Sequence, residues 1–233
     1  PPASTTQVDL AAGVASGALV VSAETREDPV DRDHRHTQEN ADARLRRWKD
    51  GVRFGLSTAT STQPRPRATW ANAVQEACEA TSLGIPFVIS SQPAHASGNG
   101  RVKARDFSKW PNELSLAASD DLALIRLFGQ VVSQEFRAIG VRMLLGPSAN
   151  LATEPRWFGS QFTYGEDSVA VANRVEAFVK AAQGDTLGPT SLACLVNSFP
   201  GAGPAKGGWD AKLAKGRLVG YPGNAVDAHL APF

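Results

Sequence analysis

The stretch "VRMLLGPSANLATEPRWFGSQFTYGED", residues 141–167, decides how the chain is read. Its opening is short, apolar and closed by Gly146, the pattern of a buried strand. The remainder crowds Glu154, Arg156, Trp157, Phe158, Phe162, Tyr164, Glu166 and Asp167 into one loop. Immediately afterwards Val171, Val175, Phe178, Val179 and Ala182 recur at helical spacing, with Gly184 as a stop. The order is strand, long loop, helix.

The same order repeats on both sides. "GALVVSA" (17–23), "VRFGLS" (52–57), "IPFVIS" (85–90) and "SLACLV" (191–196) also read as strands, so that with "VRMLLG" there are about five. A helix is marked by Trp70, Ala73, Val74, Ala77, Cys78 and Thr81, before Gly84. A longer one is marked by Leu122, Ile125, Gly129, Val132, Phe136 and Ile139, before Gly140. "ADARLRRWKD" (41–50) reads as a short helix, and "STQPRPR" (61–67) as a Pro-rich connection. This alternation predicts an α/β protein with a largely parallel sheet. Loops after strands are long and those after helices short, which points to a site at the carboxyl ends of the strands.

Composition narrows the function. The 233 residues suffice for one sizeable domain, and a net charge of +1 gives no electrostatic reason for nucleic acid or an anionic membrane as partner. No run approaches the ~18 apolar residues of a membrane span. The start, "PPASTTQVDL", shows no intact signal peptide, so the expected compartment is the cytoplasm or, after processing, the exterior. Cys78 and Cys194 each sit in an apolar run and read as buried small hydrophobes. Neither these nor the four histidines show metal-ligand spacing, and no cofactor is expected. His34 and His36 read as part of a solvated charged loop. No dinucleotide fingerprint or P-loop is present, and "GAGPAKGG" (201–208) reads as a turn-rich loop rather than a phosphate cradle.

Three stretches taken in order carry a family likeness: "LGIPFVISSQPAH" (83–95), "GPSANLATEPRWFGSQFTYGED" (146–167) and "LACLVNSFPGAGP" (192–204). Together they resemble the N-terminal barrel of glycoside hydrolase family 3, which includes β-glucosidases and related exo-acting glycosidases. "FSKWPNELSLAASDD" (107–121), "FRAIG" (136–140), "YPGN" (221–224) and "HLAPF" (229–233) fit the same pattern. The likeness runs from about Ala12 to the last residue, and "EPRW" with "GED" is its most specific piece. The resemblance implies a (β/α)8 TIM-barrel-like fold, here partial. It also implies retaining hydrolysis by a carboxylate nucleophile and a separate acid/base, a pair suited to attack at the anomeric carbon and protonation of the leaving oxygen.

The departures from the family pattern are concentrated at sugar-contacting positions. An Asp that grips hydroxyls is replaced by Gln92, and the Asp of Pro-x-x-Asp by Asn150. An Arg two residues after Pro-Arg-Trp is replaced by Gly159, and Lys-His-Phe reads Asn197, Ser198, Phe199. His95, Glu154, Arg156, Trp157, Glu166 and Asp167 are kept. The changes of Asp to Gln92, Asp to Asn150 and Lys to Asn197 each retain hydrogen-bonding capacity while removing a formal charge. Charge-assisted bonds are worth roughly twice neutral ones, so several losses weaken sugar gripping by several kcal/mol at ~1.5–3 kcal/mol each.

The resemblance therefore implies a ligand-binding set of Gln92, His95, Asn150, Arg156, Asn197 and Ser198, with no catalytic residue assignable and no metal. Two readings stand beside it. Gln92, Asn150, Asn197 and Ser198 are relics, or they line a pocket for a neutral polar ligand. His95 is a ligand group or a satisfied structural histidine. Trp157 and Tyr164 either stack on a sugar or wedge the loop, while Arg156 with Glu154 or Glu166 forms an ion pair that holds it. The family's nucleophile lies on a later strand than those found here. The chain is thus expected to be one family 3-like domain, 1–233, truncated before the later strands. On this reading it lacks the nucleophile by itself: the remaining strands are expected from a second chain, or the chain is a fragment, or two copies pair to complete the barrel. Function divides accordingly between a β-glycoside hydrolase and a non-hydrolytic pseudo-glycosidase. The latter binds a carbohydrate or other small polar ligand, supports a partner subunit, or performs other chemistry in the old pocket.

Overall fold

The computed structural model of the chain describes residues 54–56, 64–93, 95, 107–210, 213–216 and 218–233. The strand expected over 17–23, the helix over 41–50 and the loop with His34 and His36 lie outside the described residues. In chain order the elements are β1 (Phe54–Leu56), α1 (Pro64–Glu79), β2 (Val88–Ser91), α2 (Glu113–Ala117), α3 (Leu122–Ala138), β3 (Met143–Leu144), α4 (Ser168–Gln183), β4 (Ala193–Cys194) and α5 (Val226–Leu230). A 3-10 turn, Phe158–Phe162, interrupts the long loop before α4. Helix and strand alternate, and the strands are short: four among the described residues. β1 runs parallel to β2, with Phe54 opposite Val88, and β3 runs parallel to β4, with Met143 opposite Ala193.

The chain divides into two compact units. Of the described residues, those from Phe54 to Ser91 and Ala138–Arg142 form one, and those within Gln92–Arg137 and Met143–Phe233 form the other. In the first, α1 buries Arg67, Ala71, Val74 and Cys78, spaced four, three and four apart on one helical face. Its first turn contains Pro64 and Pro66, so "PRPR" opens the helix and does not form the expected connection. A first-turn amide has no intrahelical acceptor, so proline costs nothing there. The Gln75 amide ties α1 to the lead-in of β2, donating to Phe87 O at 2.7 Å and accepting from Phe87 N at 2.9 Å. Gly140 has φ +84°, and a Cβ there would lie 2.5 Å from the Ala71 Cβ, so both conformation and space require glycine.

In the second unit α3 and α4 form the core. Asp121 Oδ1 starts α3 by accepting from Ala123 N at 2.8 Å, and Asp167 Oδ1 caps α4 through Ala170 N at 2.8 Å. Ile125, Phe128, Val132 and Phe136 are buried on α3; Val171, Val175, Phe178 and Ala182 are buried on α4. The helices approach closely at Gly129, where a Cβ would meet Phe178 O at 2.8 Å. Ser133 Oγ donates to Ala182 O at 2.9 Å, which satisfies this buried hydroxyl.

The β3–β4 pairing continues past the strands. Leu195 N bonds Leu144 O at 2.8 Å, Asn197 N bonds Pro147 O at 3.1 Å, and Ala149 N bonds Asn197 O at 2.7 Å. Ser148 therefore sits opposite Asn197 in parallel register. The bases of two long loops are held by backbone bonds at the carboxyl ends of their strands.

Candidate ligand cavity

A cavity of about 520 Å³ opens where those loops begin. Its polar lining is Gln92, Glu113, Ser148, Asn197, Ser198 and Asp210. Pro93, Leu145, Leu195, Phe158 and Phe162 supply apolar surface. The two phenylalanines lie edge to face, ring centres 5.6 Å apart, on the 3-10 turn. The turn also packs on α2. The aromatics that reach the cavity are thus Phe158 and Phe162.

Trp157 and Tyr164 do other work. The Trp157 indole folds back over Gly159, where a Cβ would meet its ring 2.2 Å away. Tyr164 is fully buried, and its carbonyl accepts from Arg174 Nη1 at 3.0 Å. Arg156 pairs with Glu154 through Nη2–Oε2 at 2.6 Å and Nε–Oε1 at 2.8 Å, and Glu154 also accepts from Arg156 N at 2.9 Å. These bonds hold the Glu154 carboxyl down to about 2. The Arg156 side chain is 72% exposed and does not line the cavity. The pair is a local brace of the loop.

Gln92, Asn197 and Ser198 are brought together on the cavity wall, whereas Asn150, His95 and Arg156 do not line it. Asn150 is buried with both ends of its amide engaged: Nδ2 donates to Ser148 Oγ at 2.8 Å, and Oδ1 accepts from Ala202 N at 2.6 Å. It staples the loop after β3 to the loop after β4 and so sets the separation of Ser148 from Asn197. His95 is buried among Phe107, Phe128 and Phe136, with Nε2 2.6 Å from Glu135 Oε2. Glu135 also accepts from Ser108 N and Oγ, at 3.1 and 3.0 Å, and Trp110 N donates to His95 O at 2.9 Å. Burial lowers the imidazole pKa, against the opposing pull of Glu135.

Glu113 is absent from the set expected from sequence. Asn112 caps α2 by accepting from Ser115 N at 2.9 Å, and Glu113, the first helical residue, is packed inward. Glu113 lines the cavity, is only 6% exposed, and its Oε2 has no hydrogen-bond partner. Burial pushes its carboxyl from 4.5 up to about 7. The nearby Tyr164 hydroxyl, also buried and unpartnered, is raised by burial first and by Glu113 second. Cys194 is held as a thiol, pushed up to about 12 by burial, and neither cysteine forms a disulfide. Among the described residues no group of three or more His, Cys, Asp or Glu gathers as a metal site.

The raised Glu113 value has a measurable consequence. A group whose folded value exceeds its unfolded value contributes stability that is full below pH 4.5 and lost as pH rises through about 7. At 1.36 kcal/mol per unit the loss is about 3 kcal/mol. His95 has the opposite slope, losing stability as pH falls below 6.5, and is common to wild type and variant. In urea denaturation from pH 4.5 to 7, the stability of wild type relative to E113Q is therefore expected to fall by roughly this amount. A constant difference would refute the burial of an ionisable Glu113.

Comparison with known proteins agrees with this architecture. The model of the Glycosyl hydrolase family 3 N terminal domain matches residues 54–217. The chain belongs to that family. It is 39% identical over 183 residues to beta-glucosidase C of Emericella nidulans, covering 76% of this chain and 29% of that protein. Against the periplasmic beta-glucosidase/beta-xylosidase of Dickeya chrysanthemi it is 36% identical over 183 residues, 76% of this chain and 28% of the relative. The chain thus spans under a third of the length of these curated relatives. A family 3 β-N-acetylglucosaminidase from Paenibacillus sp. superposes with a TM-score of 0.67 at 23% identity, over 78% of this chain and 33% of that one. At that identity the likeness concerns the fold.

Proposed function

We propose that this chain is a β-glycoside-binding domain of the family 3 type that holds its sugar through uncharged side chains and does not hydrolyse it unaided. The parallel strands belong to a (β/α)8-type barrel, a reading supported by the superposition on a family 3 enzyme. Further sequence or a second polypeptide supplies the other strands and the nucleophile. The observation that carries the binding role is the convergence of Gln92, Asn197 and Ser198, from loops following β2 and β4, on one cavity floored by Phe158 and Phe162. Its volume falls within the ~300–1,000 Å³ of small-molecule sites, and a few polar groups on an apolar wall suit a sugar ring. The relatives named as β-glucosidases make a β-glucoside the first ligand to try.

Asn150 serves as a positioning residue, and the Arg156–Glu154 brace holds the loop that carries Phe158 and Phe162. Calorimetry with methyl β-D-glucoside is expected to show saturable binding. Q92A and N197A should each weaken it about threefold to tenfold, the worth of one neutral hydrogen bond. The chain alone should not turn over an aryl β-glucoside. Absence of binding, or turnover by this chain unaided, would contradict the reading.

A further inference from the structure

The structure assigns to Glu113, we infer, the role of hydrogen-bond donor to a hydroxyl of the bound sugar, which makes the cavity selective for uncharged polyhydroxylated ligands at acid to neutral pH. This rests on the sugar-binding reading above. Three observations carry it. Glu113 lines the same cavity as Gln92 and Asn197. It is almost wholly removed from solvent, and its Oε2 lacks any protein partner. The described lining residues include no cationic side chain to neutralise it. A buried carboxyl without a counter-ion is cheapest as the neutral acid. In that form it presents an O–H donor beside a carbonyl acceptor, matched to hydroxyls that both accept and donate.

The surroundings favour the same state. The 3-10 turn packed against α2 carries Phe158, Gly159, Ser160, Gln161 and Phe162, none of them titratable. Among the described residues, the titratable groups toward Glu113 are the buried Tyr164 hydroxyl and, around the cavity, the Asp210 carboxyl. Neither supplies positive charge. Of the other polar groups, Ser148 Oγ already accepts from Asn150 and is left chiefly to donate. Ionisation of Glu113 would remove a donor from the wall and place an unpaired charge against the ligand. Burial holds that ionisation near neutrality, at about 7.

If only the protonated form binds, the acid fraction falls from roughly nine-tenths at pH 6 to one-tenth at pH 8, so the Kd for methyl β-D-glucoside rises about tenfold. E113Q keeps a donor and an acceptor, and is expected to bind within about threefold of wild type at pH 6 with no pH slope. A Kd that is flat or falls with pH in wild type, or an unchanged slope in E113Q, overturns the assignment. A readout that needs no variant is ¹³C NMR of the glutamate side-chain carboxyls in the full chain. One resonance should titrate near neutrality and shift on sugar addition. Sugar-induced shifts at the Gln92 and Asn197 amides with no such carboxyl response refute Glu113's role alone. No shift at those amides refutes the sugar site and this role together.

Discussion

Gly203→Ala is expected to unfold or severely weaken the protein, because a single methyl group has nowhere to go. Gly203 is buried, and a Cβ there would lie 1.6 Å from the Leu151 carbonyl oxygen and 2.8 Å from its carbon. Both atoms are backbone, so no rotamer change relieves the overlap. Leu151 is itself 2% exposed, and the Asn150 Oδ1–Ala202 N bond of 2.6 Å draws the two loops together at this point. Accommodation must part the loop after β3 from the loop after β4. Overpacking of this kind costs up to about 3 kcal/mol when neighbours yield, and more when they do not. The same movement would separate Ser148 from Asn197 and open the cavity, so sugar binding should disappear with stability. Gly220→Ala is the control: nothing lies within 4 Å of its Cβ position, and a change within about 0.5 kcal/mol is expected. Denaturant midpoints of the two variants decide the matter. A Gly203→Ala protein as stable as wild type would mean that the loops do not approach as described.

Phe136→Ala should cost about 3–5 kcal/mol. Phe136 is 0% exposed, its ring centre 4.9 Å from that of His95 and 5.8 Å from that of Phe107. Removing it leaves a void beside an imidazole whose Nε2 lies 2.6 Å from Glu135 Oε2. The aromatic packing that keeps His95 from water is lost with it. For a chain of this size the drop in Tm is roughly 10 °C. Phe136→Leu retains most of the volume and should lose far less. If the alanine variant melts with wild type, the His95–Phe107–Phe136 cluster is not a core.

The main helices were legible because their apolar spacing is sustained. α3 and α4 fall within a few residues of the segments marked by Leu122 to Ile139 and by Val171 to Ala182. The four strands among the described residues were legible in place but not in extent, and the one expected over 17–23 lies outside those residues. "VRMLLG" contains only Met143–Leu144 as strand, and "SLACLV" only Ala193–Cys194, because apolar runs report burial and not ladder pairing. The Pro-rich stretch concealed a helix start, since proline breaks helices everywhere except in their first turn.

Within the site, residue type indicated hydrogen-bonding capacity but not its direction. Asn150 and Asn197 look alike in the sequence. One is consumed by Ser148 and Ala202, and the other faces a cavity. Glu113 gave no signal at all. An acidic residue in "WPNELS" reads as a solvated helix start, and only the packing of α2 on the Phe158–Phe162 turn turns it inward. Trp157 and Phe158 are adjacent aromatics. The 3-10 geometry between them, together with the space above Gly159, decides which one reaches the cavity.

A crystal structure of the chain grown with methyl β-D-glucoside tests the sugar-site proposal most directly. The expected result is a pyranose ring lying against Phe158 and Phe162, with its hydroxyls in hydrogen-bond reach of the Gln92 and Asn197 amides and of the Glu113 carboxyl. A saturated crystal whose cavity holds no sugar, or in which Gln92 and Asn197 turn away from it, would contradict the proposal.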